Sequence, residues 1–307
     1  MSNPIRLLLR RRGRRPLSSE RRSTALVIAI PLASMIASAT PSLAAPDLVA
    51  VSPETSLDLV PGGGTDLVTD QDVAVDNLLG VVIEESLGNA VAARDGVELV
   101  GFHDEGGSSR LIVFDEPIQL IGAVLSPGDV ARFDGSLYQA IFDASLEGIP
   151  AGVEVDALSR GIDGHLVFSF DTTVTLDGVT VADEDLVRFD GSGFDLVFDG
   201  SAFGVPASLD LDAVSYDAQG RLYVSFDTSG RIAGVDFADE DILEFDPFTG
   251  IWAGQLAFDA SVGGSGNGSG WPASDVKAIH VPEPGPGLAL GALVLLALGR
   301  RPALRLP

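Results

Sequence analysis

The chain has 307 residues, 44 of them acidic and 19 basic, for a formal net charge of −25, and it contains no cysteine. The acid surplus excludes nucleic acid as a partner on electrostatic grounds and disfavours an anionic membrane surface. Without thiols there is no disulfide framework, no lipoprotein attachment site and no thiolate metal centre.

Arg6, Arg10, Arg11, Arg12, Arg14, Arg15, Arg21 and Arg22 form a basic leader, followed by an apolar stretch from Ala25 to Ala39. Ser42-Leu43-Ala44 then offers small residues where a signal peptidase reads. Residues 1–44 are expected to be a signal peptide cut between Ala44 and Ala45, because a cut one residue later would place Pro46 directly beyond the scissile bond. Arg21-Arg22 is followed by Ser23-Thr24-Ala25, without the apolar pair of twin-arginine signals, so Sec export across the inner membrane is expected. Eight of the 19 basic residues precede Ala44 and three follow Glu283, so from Ala45 through Glu283 eight bases face 43 acids.

Residues 45–281 read as an acidic repeat domain. Phe114, Phe170 and Phe226 stand 56 apart, as do Phe133, Phe189 and Phe245. The copies divide at about 47–109, 110–164, 165–220 and 221–281, the first of them worn. Each reads as four strands, for example Asp210 to Asp217, Arg221 to Asp227, Ile242 to Asp246 and Ile251 to Phe258. Leu222, Val224 and Phe226 alternate with Tyr223, Ser225 and Asp227, and no segment of the body sustains a helical apolar period. A loop containing Ala238-Asp239-Glu240-Asp241 is expected between the second and third strands.

The run DAVSYDAQGRLYVSFDT resembles the inner two strands of an NHL-type β-propeller blade, and FDG followed by an apolar strand resembles the outer two. That resemblance implies an all-β fold, a four-bladed β-propeller. Asp275 to His280 aligns with Asp210 to Ser215, which predicts that the C-terminal strand supplies the missing innermost strand of the first blade and closes the ring. The alternative is a β-solenoid or a sandwich.

The chemistry is sparse. His103, His165 and His280 lie in unrelated strand positions without metal-ligand spacing, and neither a nucleophile elbow nor a phosphate-binding glycine loop is present. Asp183-Glu184-Asp185 and Asp239-Glu240-Asp241 occupy the same place in consecutive copies, with Asp129 at the corresponding last position. Adjacent acids repel, and hard oxygen ligands on a loop suit Ca²⁺, so these six residues are the candidate metal sites; the alternative is that they are solvated. If the innermost strands line a channel, Glu98, Asp156, Asp212 and Lys277 take equivalent places around it, Glu98 on the assumption of a two-residue longer turn in its copy.

At the far end, Pro282-Glu283-Pro284 leads to an apolar run over 287–299, closed by Arg300-Arg301. Thirteen residues at ~1.5 Å rise give ~20 Å of helix, short of the ~30 Å hydrocarbon core, and the arginines favour a cytoplasmic end. Residues 282–307 resemble the PEP-CTERM sorting signal that exosortases process in Gram-negative bacteria that make exopolysaccharide. The resemblance implies a transient C-terminal membrane helix, processing by exosortase after signal peptidase, and a destination at the cell surface or in the extracellular matrix. The expected body is a non-catalytic acidic β-scaffold contacting extracellular polysaccharide. The alternatives are a calcium-dependent carbohydrate-binding protein using Trp252, Trp271, Tyr138, Tyr216 or Tyr223, and a propeller-type hydrolase with a metal on Asp156 or Asp212.

Overall fold

A computed structural model describes residues 49–53, 57–58, 67–68, 72–76, 81–86, 97–260 and 275–281. The signal cleavage site at Ala44 and Ala45, the sorting motif Pro282, Glu283, Pro284, Arg300 and Arg301, and the apolar run 287–299 lie outside them. Among the described residues there is no α-helix, and hence none long and apolar enough to cross a membrane.

Sixteen strands build four antiparallel four-stranded sheets. Sheet I contains β1 (Val49–Pro53), β2 (Asp72–Asp76) and β3 (Val81–Ser86). Sheet II is β4 (Leu99–Gly106), β5 (Ser109–Phe114), β6 (Val130–Phe133) and β7 (Tyr138–Phe142). Sheet III is β8 (Val155–Arg160), β9 (Leu166–Phe170), β10 (Leu186–Phe189) and β11 (Phe194–Phe198). Sheet IV is β12 (Leu211–Tyr216), β13 (Leu222–Phe226), β14 (Leu243–Asp246) and β15 (Ile251–Trp252). The last strand, β16 (Val276–His280), does not extend sheet IV: it pairs with β1, Ala50 opposite His280 and Val51 opposite Ile279, giving sheet I the order β16-β1-β2-β3. The first strands of the sheets pack against one another in the succession β4, β8, β12, β16 and back to β4. This is an all-β, propeller-like repeat fold.

The 56-residue spacing is a spacing of registers. Leu99 faces Phe114, Val155 faces Phe170 and Leu211 faces Phe226. The sheets begin at β4, β8 and β12, so copies divided at 110, 165 and 221 each straddle two sheets.

β9 and β13 are buried along their whole length. Their alternation separates two apolar environments rather than core from water: Leu222, Val224 and Phe226 enter one cluster with Phe198 and Phe245, while Tyr223 joins Ile242, Val276 and Ile279 on the other face. A sheet covered on both faces accommodates continuous apolar strands. Phe142, Phe168, Phe189 and Phe194 form one ring cluster and Phe198, Phe203, Phe245 and Trp252 another. Phe203 is exposed; burying each of the other rings stabilises the fold by about 2 kcal/mol.

Serines join successive sheets. Ser169 Oγ donates to Leu211 O at 2.8 Å and Ser225 Oγ to Val276 O at 3.1 Å. Ser159 Oγ accepts from Tyr216 N, and Ser215 Oγ from Val281 N. The same two side chains, 56 residues apart, bind sheet III to sheet IV and sheet IV to β16.

Two local expectations are corrected. The segment between second and third strands is a small hairpin as well as a loop: Ile118–Leu120 with Ala123–Leu125, Val174–Leu176 with Val179–Val181, and Gly230–Ile232 with Val235–Phe237. The strand expected from Ile251 to Phe258 is regular only at Ile251–Trp252. Pairing resumes at the Ile242–Phe258 bridge, the counterpart of the Leu186–Phe198 pair, so two extra residues are looped out between Trp252 and Phe258.

Candidate functional site at the bulged ends of the innermost strands

Each innermost strand carries an irregularity at the same place. The register shifts between Leu99 and Gly101, Val155 and Ala157, and Leu211 and Ala213, and again opposite β16, where Val276 and Ala278 pair with Pro53 and Ser52. The residues set apart are Val100, Asp156, Asp212 and Lys277. A bulge turns a side chain away from the alternation that the strand would impose. Three of the four expected channel residues thus occupy equivalent places. Glu98 does not: it stands two residues earlier, where Glu154 and Asp210 stand in sheets III and IV, and Val100 takes the fourth place. The 56-residue interval holds across β4 and β5 without any longer turn, which removes the reason for choosing Glu98.

Lys277 Nζ lies 3.0 Å from Asp212 Oδ2 and 3.0 Å from Asp275 Oδ2. Asp212 is 2% exposed, and burial, followed by its hydrogen bond with Asp275, pushes its carboxyl strongly upward. Burial alone would lower the Lys277 ammonium, but Asp212 and Asp275 outweigh it and hold it charged. Burial raises Asp156 to about 7, against the opposing pull of Lys277. Burial and the fields of Asp156, Asp183 and Asp227 raise Asp210 to about 8. The arrangement is one ammonium held by two carboxyls, with two further carboxyls nearby that give up protons reluctantly. Asp275 and Asp210, which single-position alignment passes over, belong to this site as much as Asp156 and Asp212.

The acidic triplets are built differently. Asp185 Oδ2 accepts from Ala182 N at 2.9 Å and its Oδ1 from Gly200 N at 2.9 Å. Asp241 does the same with Ala238 N and Ala260 N, and Asp129 with Ser126 N and Ala144 N. Each carboxylate therefore ties the turn before a sheet's third strand to the end of its fourth. Asp183 hydrogen-bonds Glu184, and burial with that contact raises Glu184; burial and Asp239 raise Glu240 to about 7. Among the described residues, no group of three or more His, Asp or Glu side chains is disposed to hold a metal ion.

Other recurrent acids have the same occupation. Asp115, Asp171 and Asp227 accept the backbone N–H of Glu98, Glu154 and Asp210 at 2.6, 2.7 and 3.0 Å, fastening the open ends of the first hairpins. Asp134, Asp190 and Asp246 accept two turn amides each.

Two of the three histidines are related. His103 and His280 stand where Ser159 and Ser215 stand in their sheets, and their rings meet edge to face with centroids 5.0 Å apart. Of the aromatic residues considered as sugar platforms, Tyr138, Tyr223 and Trp252 are buried and Tyr216 is partly exposed. Tyr216 lines a cavity of about 300 Å³ with His103, Arg160, Ile162 and Asp217. Trp271 lies outside the described residues.

No protein-family model matches the chain, and no curated protein sequence matches it. Among solved structures it is similar to a protein of unknown function from Bacteroides caccae, with 13% identity over 68% of this chain and 57% of that one and a TM-score of 0.25. It is similar to a hemopexin fold protein from cow pea, with 9% identity over 75% and 92% of the two chains and a TM-score of 0.35. A gluconolactonase from Xanthomonas campestris matches at 15% identity over 60% and 57%, with a TM-score of 0.29. The chain spans less than two thirds of the length of the Bacteroides and Xanthomonas proteins.

Proposed function

We propose that the protein is an exported, exosortase-processed component of the cell surface or extracellular matrix, whose body is a non-catalytic acidic scaffold. In this reading the four sheets are the blades of a four-bladed β-propeller closed by β16. One observation carries the scaffold reading: three sets of acids that recur at 56-residue intervals, those of Asp129, Asp185 and Asp241, of Asp115, Asp171 and Asp227, and of Asp134, Asp190 and Asp246, are engaged with backbone amides of turns and strand ends. Repetition of carboxylates here builds the repeat. The address rests on the basic and apolar leader before Ala45 and on the Pro-Glu-Pro, apolar and arginine pattern of 282–307. Signal peptidase and exosortase are the processing partners, and extracellular polysaccharide is the contact.

The test is to fractionate cells with and without the exosortase and weigh the mature protein by mass spectrometry. The expected product begins at Ala45 and lacks 287–299, and loss of exosortase leaves a membrane-bound form with the tail intact. A secreted product that retains Leu290 to Leu298 contradicts the reading.

A second reading is calcium-dependent binding of carbohydrate, with Asp156 and Asp210 as oxygen ligands: Asp210 Oδ1 is buried without a hydrogen-bond partner. Their carboxyls are held above the ordinary range by burial, and an arriving cation would replace their protons. Calorimetric titration with CaCl₂, beside melts with and without chelator, decides it; no heat and no melting shift end that reading.

A further inference from the structure

His103 lies on β4 of sheet II and His280 on β16, the strand that joins sheet I from the far end of the chain. His280 is 7% exposed, packed edge to face against His103 at 5.0 Å and against Phe102 at 6.1 Å. The Nδ1 atoms of both rings are buried without a hydrogen-bond partner. A buried ring nitrogen without a partner is costly, and native folds rarely retain one without a reason. Two of them, on facing side chains where sheets III and IV use serines whose hydroxyls bond across to the next sheet, call for one cause.

We propose that His103 and His280 bind a first-row transition-metal ion, of the Cu²⁺, Ni²⁺ or Zn²⁺ class, which clips β16 to sheet II.

Imidazole nitrogen suits these ions, whereas Ca²⁺ and Mg²⁺ take oxygen. Glu105, held at 2.6 and 2.7 Å by Arg132 and Arg160, keeps those guanidinium groups engaged beside the pair. The protein supplies two ligands, and solvent or a passing donor completes the coordination. The clip joins residues 177 positions apart, at the contact that holds β16 to its neighbour β4. It is independent of the export reading and of the acidic site at the bulges.

The experiment uses the untagged full chain. One Cu²⁺ per chain is expected, with electron paramagnetic resonance showing coupling to two imidazole nitrogens. A Tm rise of about 5–10 °C is expected at a hundredfold excess of Cu²⁺ over Kd, and no comparable effect of Mg²⁺. His103→Gln and His280→Gln each abolish the nitrogen pair and the rise, while His165→Gln keeps both. An unchanged spectrum and Tm rise in the doubly substituted chain overturn the proposal. So does a native-chain spectrum without paired nitrogen coupling, which is decisive even if the variants do not fold.

Discussion

At the bulged ends of β8 and β12, burial keeps Asp156 and Asp210 partly protonated near neutrality, and between β4 and β16 it keeps His103 and His280 neutral. These two groups pull stability in opposite directions with pH. The histidine pKa values are lowered in the fold, to about 3 and 4. Their contribution is present above the unfolded value of about 6.5 and is lost as pH falls through the folded values. Arg160 and Glu105 face His103, and Asp104 faces His280. The carboxyls are raised, to about 7 and 8. Their contribution is complete below the unfolded value of about 3.9 and is lost as pH rises through the folded values. Between about pH 4 and 6.5 the two slopes oppose each other, and above 6.5 only the carboxyls act. Denaturant titrations are therefore expected to show stability falling from pH 6.5 to 8.5, with Asp156→Asn removing part of that fall. Stability that rises over this range, or a fall untouched by Asp156→Asn, contradicts the assignment. The strict 56-residue interval carried Asp156 and Asp212 to equivalent places and would have carried Val100 with them; only an added turn length put Glu98 there. The histidine pair was equally within reach, since aligning Asp275 to His280 with Asp210 to Ser215 puts His280, Ser215, Ser159 and His103 in one set. Spacing along the chain conceals it, because the packing of β16 against β4 brings together the two members farthest apart in sequence.

At the scale of the element, two of the three hairpins between second and third strands turn on paired positive-φ residues. Asp177 and Gly178 have φ of 52° and 83°, and Ala233 and Gly234 have φ of 50° and 93°. Both central residues of a type I′ turn need positive φ, which suits Asp-Gly and strains alanine. Ala233→Gly is expected to stabilise the protein by about 0.5–1 kcal/mol, and Gly178→Ala to destabilise it by about 1 kcal/mol or more, both read from chemical denaturation. A loss of stability in Ala233→Gly would show that the turn does not hold its alanine under strain. The Asp177-Gly178 signal was present in the sequence, flanked by Val174, Leu176, Val179 and Val181, but the neighbouring acids drew that segment into a ligand loop. The same ambiguity hid the braces. Asp185 and Asp241 have the composition of a cation site, and only the fold reveals that the segments after β11 and β15 return to present amides to them. The apolar strands, by contrast, were legible because burial on both faces leaves an unbroken run in sequence.

For the whole molecule, everything depends on where β16 docks. Its pairing with β1 completes sheet I, places Lys277 beside Asp212, receives the hydroxyl of Ser225 on Val276 O, and brings His280 to His103. The native chain has no cysteine, so a pair introduced at Val51 and Ile279, opposite each other in the register, has no competing thiol. Under oxidation the account predicts an intramolecular Val51→Cys to Ile279→Cys disulfide in nearly every monomer, found as one cross-linked peptide by mass spectrometry. The closed loop is long, so Tm is expected to rise by about 5–10 °C relative to the reduced form. Thiols that stay free, or that link only between chains, would show that the two segments do not share a sheet and would contradict the docking of β16 on β1.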